Sequence, residues 1–273
     1  MRKYIKNSGC LLLLCMYLIT VLSGCTNELT PGKLMSKVTE NLSKVKSVSN
    51  SLDMYIDMES VLESTKVSMD MEMENTTKPM AGHAKGTAQV DMSGTKLGSD
   101  IEIYQVTEDK EFVTYSSMYG EWSRETARNP KKSAFSGNLF QEAGNSVKSF
   151  RIAEEAVTVE EKECYEMYGD ITGKELFQFM GPDVVGAFGL IEIPEGDTIE
   201  KLKIPVTIDV YKEKMLPARV MIDMTDVMNE LYEQYGKSTN VNNFMIKLTY
   251  TEFNQTQEIT VPEDVKKAAK AAL

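Results

Sequence analysis

Histidine and tryptophan each occur once in the 273 residues, as His83 and Trp122, and cysteine occurs only four times. A single histidine cannot build a histidine-based acid/base pair or a histidine metal triad. Ser43-Lys44-Val45-Lys46 and Ser93-Gly94-Thr95-Lys96 fit the S-x-x-K pattern, but no S-D-N or K-T-G companion accompanies either. Also missing are G-x-G-x-x-G, a P-loop, G-x-S-x-G and an EF-hand loop. The expectation is a protein that is not an enzyme and that uses no cofactor or metal. Acidic rows such as Asp53, Asp57 and Glu59 with Asp70, Glu72 and Glu74 read as a solvated face ahead of a cation site between strands, and as paired carboxylates they do not make a glycosidase, because nothing shows one raised beside an apolar wall.

Basic residues are scarce too. Lysine and arginine number 30 against 41 acids, a net charge of -11. Residues 1–24 hold Arg2, Lys3 and Lys6 and no acid, so the remainder has 27 basic residues and a net charge of -14. Such a surface repels nucleic acid and anionic headgroups.

The start of the chain explains the cysteines. Three positive charges precede an apolar run of 13 residues, Cys10 to Leu22, and Leu22-Ser23-Gly24-Cys25 follows. The run is too short to span a bilayer, which needs about 20 residues, and reads as a signal-peptide core over residues 1–24. The tetrad resembles the bacterial lipobox, which marks Cys25 as the lipidated first residue of the mature chain. Two acyl chains suffice for stable anchoring. Cys10 and Cys15 then leave with the leader, Cys25 is consumed, and Cys164 alone remains, as a small strand residue or a reactive thiol. No intramolecular disulfide is possible, so a large core must hold the fold. Residues 25–30 form a tether of roughly 20 Å at about 3.3 Å per residue, and residues 31–273 a single domain. The expected location is the extracytoplasmic face of a cell membrane.

What the chain has in quantity is methionine at alternate positions. Between Ser51 and Glu74, Leu52, Met54, Ile56 and Met58 fall on one face of a first strand, and Val67, Met69, Met71 and Met73 on one face of a second. Acids and Tyr55 take the other face. Period-two alternation of this kind predicts an antiparallel pair, apolar inside and acidic outside. Val90 and Met92 extend the apolar face onto a third strand. Turns at Ser93-Gly94, Asp109-Lys110 and Tyr119-Gly120 divide six successive strands, an antiparallel meander.

Before it, Thr30 and Pro31 open an amphipathic helix with Leu34, Val38, Leu42 and Val45 on one side. After it, Thr126 to Ser146 reads as a break with a short helix near Leu139 to Ala143. Strands are predicted at Phe150 to Val159 and Glu163 to Ile171, then a helix behind the capping box Thr172-Gly173-Lys174-Glu175. Val184, Val185, Phe188 and Leu190 belong either to a segment packed on the core or to a lip touching membrane or ligand. Strands follow around Ile204 to Val210, Val220 to Met224 and Phe244 to Tyr250. Helices are predicted at Asp226 to Tyr235 and from Pro262, with Glu263 and Asp264 in the first turn and Lys266, Lys267 and Lys270 further on.

The lipobox, tether, meander with Gly120-Glu121-Trp122, and closing stretch Tyr250-Thr251-Glu252-Phe253-Asn254 to Ile259-Thr260-Val261-Pro262-Glu263 together resemble an uncharacterised family of Gram-positive lipoproteins. That family is similar to the LolA and LppX/LprG class. The resemblance implies an α+β fold, with a large curved antiparallel sheet forming a half-barrel, helices on its concave side and an apolar cavity for acyl chains. It implies a lipid carrier or sensor.

Sixteen methionines follow the leader, and flexible thioethers suit an adaptable apolar site. The candidate cavity wall is Leu52, Met54, Ile56, Met58, Val67, Met69, Met71, Met73, Val90 and Met92. Two readings stay open: a membrane-anchored module holding a hydrophobic ligand, or an envelope interaction protein with a solid core that docks a protein partner.

Overall fold

The computed structural model describes residues 29–127, 146–176 and 202–271. The chain divides into units Met1–Thr30 and Pro31–Leu273, and every described element lies in the second. Its class is α+β: one open sheet of thirteen strands with few helices.

Helix α1 (Pro31–Leu42) starts at the predicted proline and buries Leu34, Met35 and Val38. Its end is pinned by Asn41, whose Nδ2 donates to the carbonyls of Lys214 and Met215 at 3.0 and 3.3 Å. The meander follows as β1 (Ser47–Ser60), β2 (Ser64–Thr77), β3 (Met80–Met92), β4 (Thr95–Glu108), β5 (Glu111–Met118) and β6 (Glu121–Ala127). Three of its turns have two central residues in the left-handed region: Ser93-Gly94, Asp109-Lys110 and Tyr119-Gly120. That geometry matches the twist of the flanking strands.

The second half holds β7 (Arg151–Ile152), β8 (Val157–Val159), β9 (Lys162–Thr172), β10 (Lys203–Tyr211) and β11 (Pro217–Asp223). Helix α2 (Thr225–Gln234), β12 (Thr239–Phe253), α3 (Glu263–Ala268) and β13 (Lys270–Ala271) complete it. The expected strand from Phe150 to Val159 is broken: only β7 and β8 pair with β9, and residues 153–156 are irregular. Just before β7, Phe150 lies over Gly169, where a Cβ would overlap its ring. The capping box forms as predicted. The Thr172 N–H donates to Glu175 Oε2 at 2.8 Å, and the Glu175 N–H to Thr172 Oγ1 at 3.3 Å. The predicted short helix near Leu139 to Ala143 and the segment with Val184, Val185, Phe188 and Leu190 lie outside the described residues.

The strand order is β13-β6-β5-β4-β3-β2-β1-β12-β11-β10-β9-β7, with β8 on β9. All pairings are antiparallel except β13 on β6. The first strand and the last long one therefore meet mid-sheet, where β1 pairs with β12 from Val48–Phe253 to Ser60–Thr239.

Helix α2 covers the methionine face, here called inner, since the Tyr232 hydroxyl lies 3.7 Å from Met58 Sδ. The C-terminal arm does the opposite. Val261 and Val265, the latter on α3, pack with Ala81, Tyr104, Val106, Val113 and Tyr115. Register places these strand residues on the outer face. The arm is further tied by Lys266 Nζ, 3.3 Å from Glu108. Lys270, expected to extend the last helix, lies instead in β13 beside Ser123.

Candidate functional site

Register decides which side chains share the inner face. One rung crosses the sheet as Met167, Ile208, Val220, Leu248, Leu52, Met71, Gly86, Ile101 and Met118, each paired with the next. A second runs Val206, Ile222, Ile246, Met54, Met69, Ala88 and Ser99. A third runs Phe244, Ile56, Val67, Val90 and Leu97. The ten candidate cavity residues all belong to this face, Met58 and Met92 being joined through Thr65.

Cover falls along the second and third rungs, whereas the first stays buried at Met71 and Ile101 and is exposed at Met118. Met167, Ile208, Ile56 and Phe244 are fully buried, whereas Met69 and Val90 are half-buried and Leu97, Met92 and Met118 are exposed. Of the ten candidates, Leu52, Met54, Ile56, Val67, Met71 and Met73 are core, Met58, Met69 and Val90 half-buried, and Met92 exposed. The side chains stay apolar while their cover thins. Strand β3 adds room, because it faces Met73, Met71 and Met69 with Ala84, Gly86 and Ala88. At Gly86 a Cβ would overlap the Asp70 carbonyl oxygen, so the two backbones approach as only glycine allows.

The opposite face of β1 and β2 is charged. Lys66 Nζ is 2.9 Å from Asp57, and this hydrogen bond leads the effects that hold the Asp57 carboxyl below its usual range. Asp53 stands across from Asp70 and takes Lys247 at 2.8 Å. Burial, then the neighbouring Asp53, pushes Asp70 up. Among the described residues no cluster of histidine, cysteine and carboxylate side chains could hold a metal.

His83 stacks on Tyr104 with ring centres 4.2 Å apart, and its Nε2 lies 2.9 Å from Glu102, which also accepts from the Tyr104 hydroxyl. Burial, then that bond, pushes Tyr104 up to about 12. This trio borders the outer-face core that pattern reading missed. Its signal lay in Ile101-Glu102-Ile103-Tyr104-Gln105-Val106, where the apolar positions change parity midway.

Asp209 is wholly buried with Arg219 Nε at 2.7 Å from Oδ2, while Oδ1 has no partner. Burial outweighs Arg219 and raises its carboxyl; burial, then Asp209, pushes the adjacent Cys164 thiol up to about 11. Cys164 is thus a small core residue and not an activated nucleophile. A cleft of about 670 Å³ lies between Lys162, Tyr211, Lys212, Lys214 and Phe253. Two of its three cations are engaged: Lys162 Nζ sits 5.3 Å over the Tyr211 ring and Lys212 Nζ 5.3 Å over Tyr165.

Among the described residues, no helix is long and apolar enough to cross a membrane. The sequence model of a family of unknown function, DUF6612, matches residues 30–270. No curated protein matches the sequence. Similar solved structures include the lipoprotein LppX of Mycobacterium tuberculosis, 12% identical with TM-score 0.48, covering 84% of this chain and 98% of that one. LprF of Mycobacterium bovis is 13% identical with TM-score 0.47, covering 85% and 96%. An outer membrane lipoprotein-sorting protein domain of Vibrio parahaemolyticus is 12% identical with TM-score 0.24, covering 85% and 96%.

Proposed function

The chain belongs to the DUF6612 family, and from that starting point we propose that it is a non-catalytic, membrane-anchored extracytoplasmic lipoprotein whose inner sheet face holds a lipid or other hydrophobic ligand. One observation carries the reading: on the rungs through Met54 and Ile56, which are core at β12 and β1, Met69, Ala88, Val90 and Leu97 stay apolar while their cover falls away. A surface meant for water would have turned polar there. An acyl chain laid over Met69, Ala88 and Val90 replaces water on that face. Each roughly 200 Å² of apolar surface so covered contributes about 5 kcal/mol before the cost of ordering the chain. Methionine suits a site that accepts chains of varied length and saturation. Selectivity then comes from shape and burial, with few polar anchors. The lipobox at Leu22 to Cys25 supports the anchor.

The test is native mass spectrometry with organic extraction on the chain from Thr26 onward, which keeps every described element. The expected result is a bound acyl species, lost in Met69→Glu and Val90→Glu. Both positions are half-buried, so circular dichroism should show these variants folded. An empty protein that takes up no added fatty acid or phospholipid sinks the proposal.

A further inference from the structure

The two ends of the strands differ in chemistry. At the end where β1 starts, the turns carry charge: Lys78, Asp109-Lys110, Glu160-Glu161 and Lys212-Glu213-Lys214. At the other end, the β1–β2 turn carries Val61 and Leu62, which are 86% and 94% exposed. The β3–β4 hairpin adds exposed Met92 and Leu97, and the β5–β6 turn adds Met118 and Tyr119, the latter 72% exposed. Exposed Tyr235 precedes Thr239, the residue that pairs with Ser60 at this same end. Among the described residues, seven of the ten exposed large apolar side chains thus gather at one end, against Met80 alone at the other.

These seven form one rim. Thr65 pairs with Met92, so the first two tips stand level, but Met118 pairs with Ile101, six positions into β4 counted from Thr95. From the second tip to the third the line therefore drops by about 20 Å over roughly 10 Å of sheet width, at 3.3 Å per residue and 4.8 Å per strand.

We infer that this rim is a membrane-docking surface that sets Val61, Leu62, Leu97 and Tyr119 into the interfacial layer of a lipid bilayer, independently of any acyl group at Cys25. The tips are separate apolar points with strand ends between them. A fluid apolar phase accommodates such points, whereas a protein partner needs a continuous complementary patch. Tyrosine beside aliphatic side chains is the composition favoured at the bilayer interface. Around the tips Glu59, Glu63, Asp91 and Glu121 outnumber Lys66 and Lys96, so the surface fits neutral headgroups and gains nothing from anionic ones. The lipobox reading makes a bilayer the apolar phase at hand for this chain. The inference goes beyond ligand binding and does not need it.

The test floats the unlipidated chain from Thr26 with phosphatidylcholine vesicles. Wild type is expected to float, and to do so equally at about 50 and about 500 mM salt, because no Coulombic attraction is involved. Val61→Glu with Leu62→Glu should lower the vesicle-bound fraction about tenfold and Tyr119→Glu severalfold, while Met80→Glu at the other end changes nothing. Since residues 61 and 62 are exposed, their double variant should unfold at the wild-type urea midpoint, which separates lost docking from lost folding. Failure of wild type to float overturns the inference, as does unchanged flotation of the double variant. A dimer that forms in sedimentation velocity, breaks in the double variant and ignores vesicles assigns the rim to a second copy and also overturns it. A chain that floats yet carries no extracted lipid keeps this inference and removes the ligand reading.

Discussion

Around β12, β1 and β2 the inner face is sealed by Phe244, Ile56 and Val67, and the outer face presents Lys247, Asp53 and Asp70 to water. Around β4, β5 and β6 a second core is added. There the outer face is sealed, with Tyr104, Val106, Val113 and Tyr115 under Val261 and Val265, while the inner face keeps Ile101 and Phe112 buried and runs out at its far end to exposed Leu97 and Met118. One continuous sheet thus gains a core on its other side, and β3 is the strand on which the change falls. Its inner positions shrink to Ala84, Gly86 and Ala88, and its outer Ala81 already belongs to the second core. The lesson is that neither core spans the whole sheet. The stretch where one has ended on the inner side is apolar surface left for something else.

The comparison can be broken most sharply at its centre. Phe244→Ala should destabilise by about 3–5 kcal/mol in urea unfolding, since the site is fully enclosed, whereas Val90→Ala on the same rung should cost less than about 1 kcal/mol. Equal losses would mean that the rung is uniformly packed. The second core is probed next. Val265→Asp buries an unpaired charge and should cost about 2–3 kcal/mol. Because Trp122, the only tryptophan, packs against that cluster, its emission should shift to the red before far-ultraviolet dichroism is lost. Coincident transitions would show instead that the two cores melt as one. The smallest effect concerns Asp209, beyond β12 on β10. Its folded carboxyl is raised above the ordinary 3.8, burial being the main cause. The folded state therefore holds the proton more tightly than the unfolded chain. The stability Asp209 contributes is complete below about pH 3.8 and lost as pH rises through the folded value. Asp209→Asn should flatten that fall by less than about 2 kcal/mol, read from urea midpoints across the carboxylate range.

Much of the fold was legible because strand patterning is local. Alternation at Leu52 to Met58 and Val67 to Met73 located β1 and β2 and their buried face, and Ser93-Gly94 and Tyr119-Gly120 marked hairpins. The capping box at Thr172 and Glu175 was readable as a spacing. Three features were not. The pairing of β1 with β12 joins residues about 200 apart, and no local pattern encodes it. The break at residues 153–156 and the seating of Phe150 on Gly169 are tertiary features without a local pattern. The turn Glu160-Glu161 has two non-glycine residues in the left-handed region, where sequence preference points elsewhere. Of the candidate site, the shared face was legible and the thinning cover was not, because cover depends on what α2 and the C-terminal arm lie against.

Both ends of the strand order finish in strands of two residues, β13 (Lys270–Ala271) on β6 and β7 (Arg151–Ile152) on β9. A long open sheet invites growth, because each bare edge offers a row of hydrogen-bonding groups to a neighbouring molecule. Here the terminal strands are too short to template another chain, and one is the chain's own terminus laid parallel to its neighbour. Removing β13 would uncover the β6 edge, and the molecule would gain a route to stack edge on edge into fibrils.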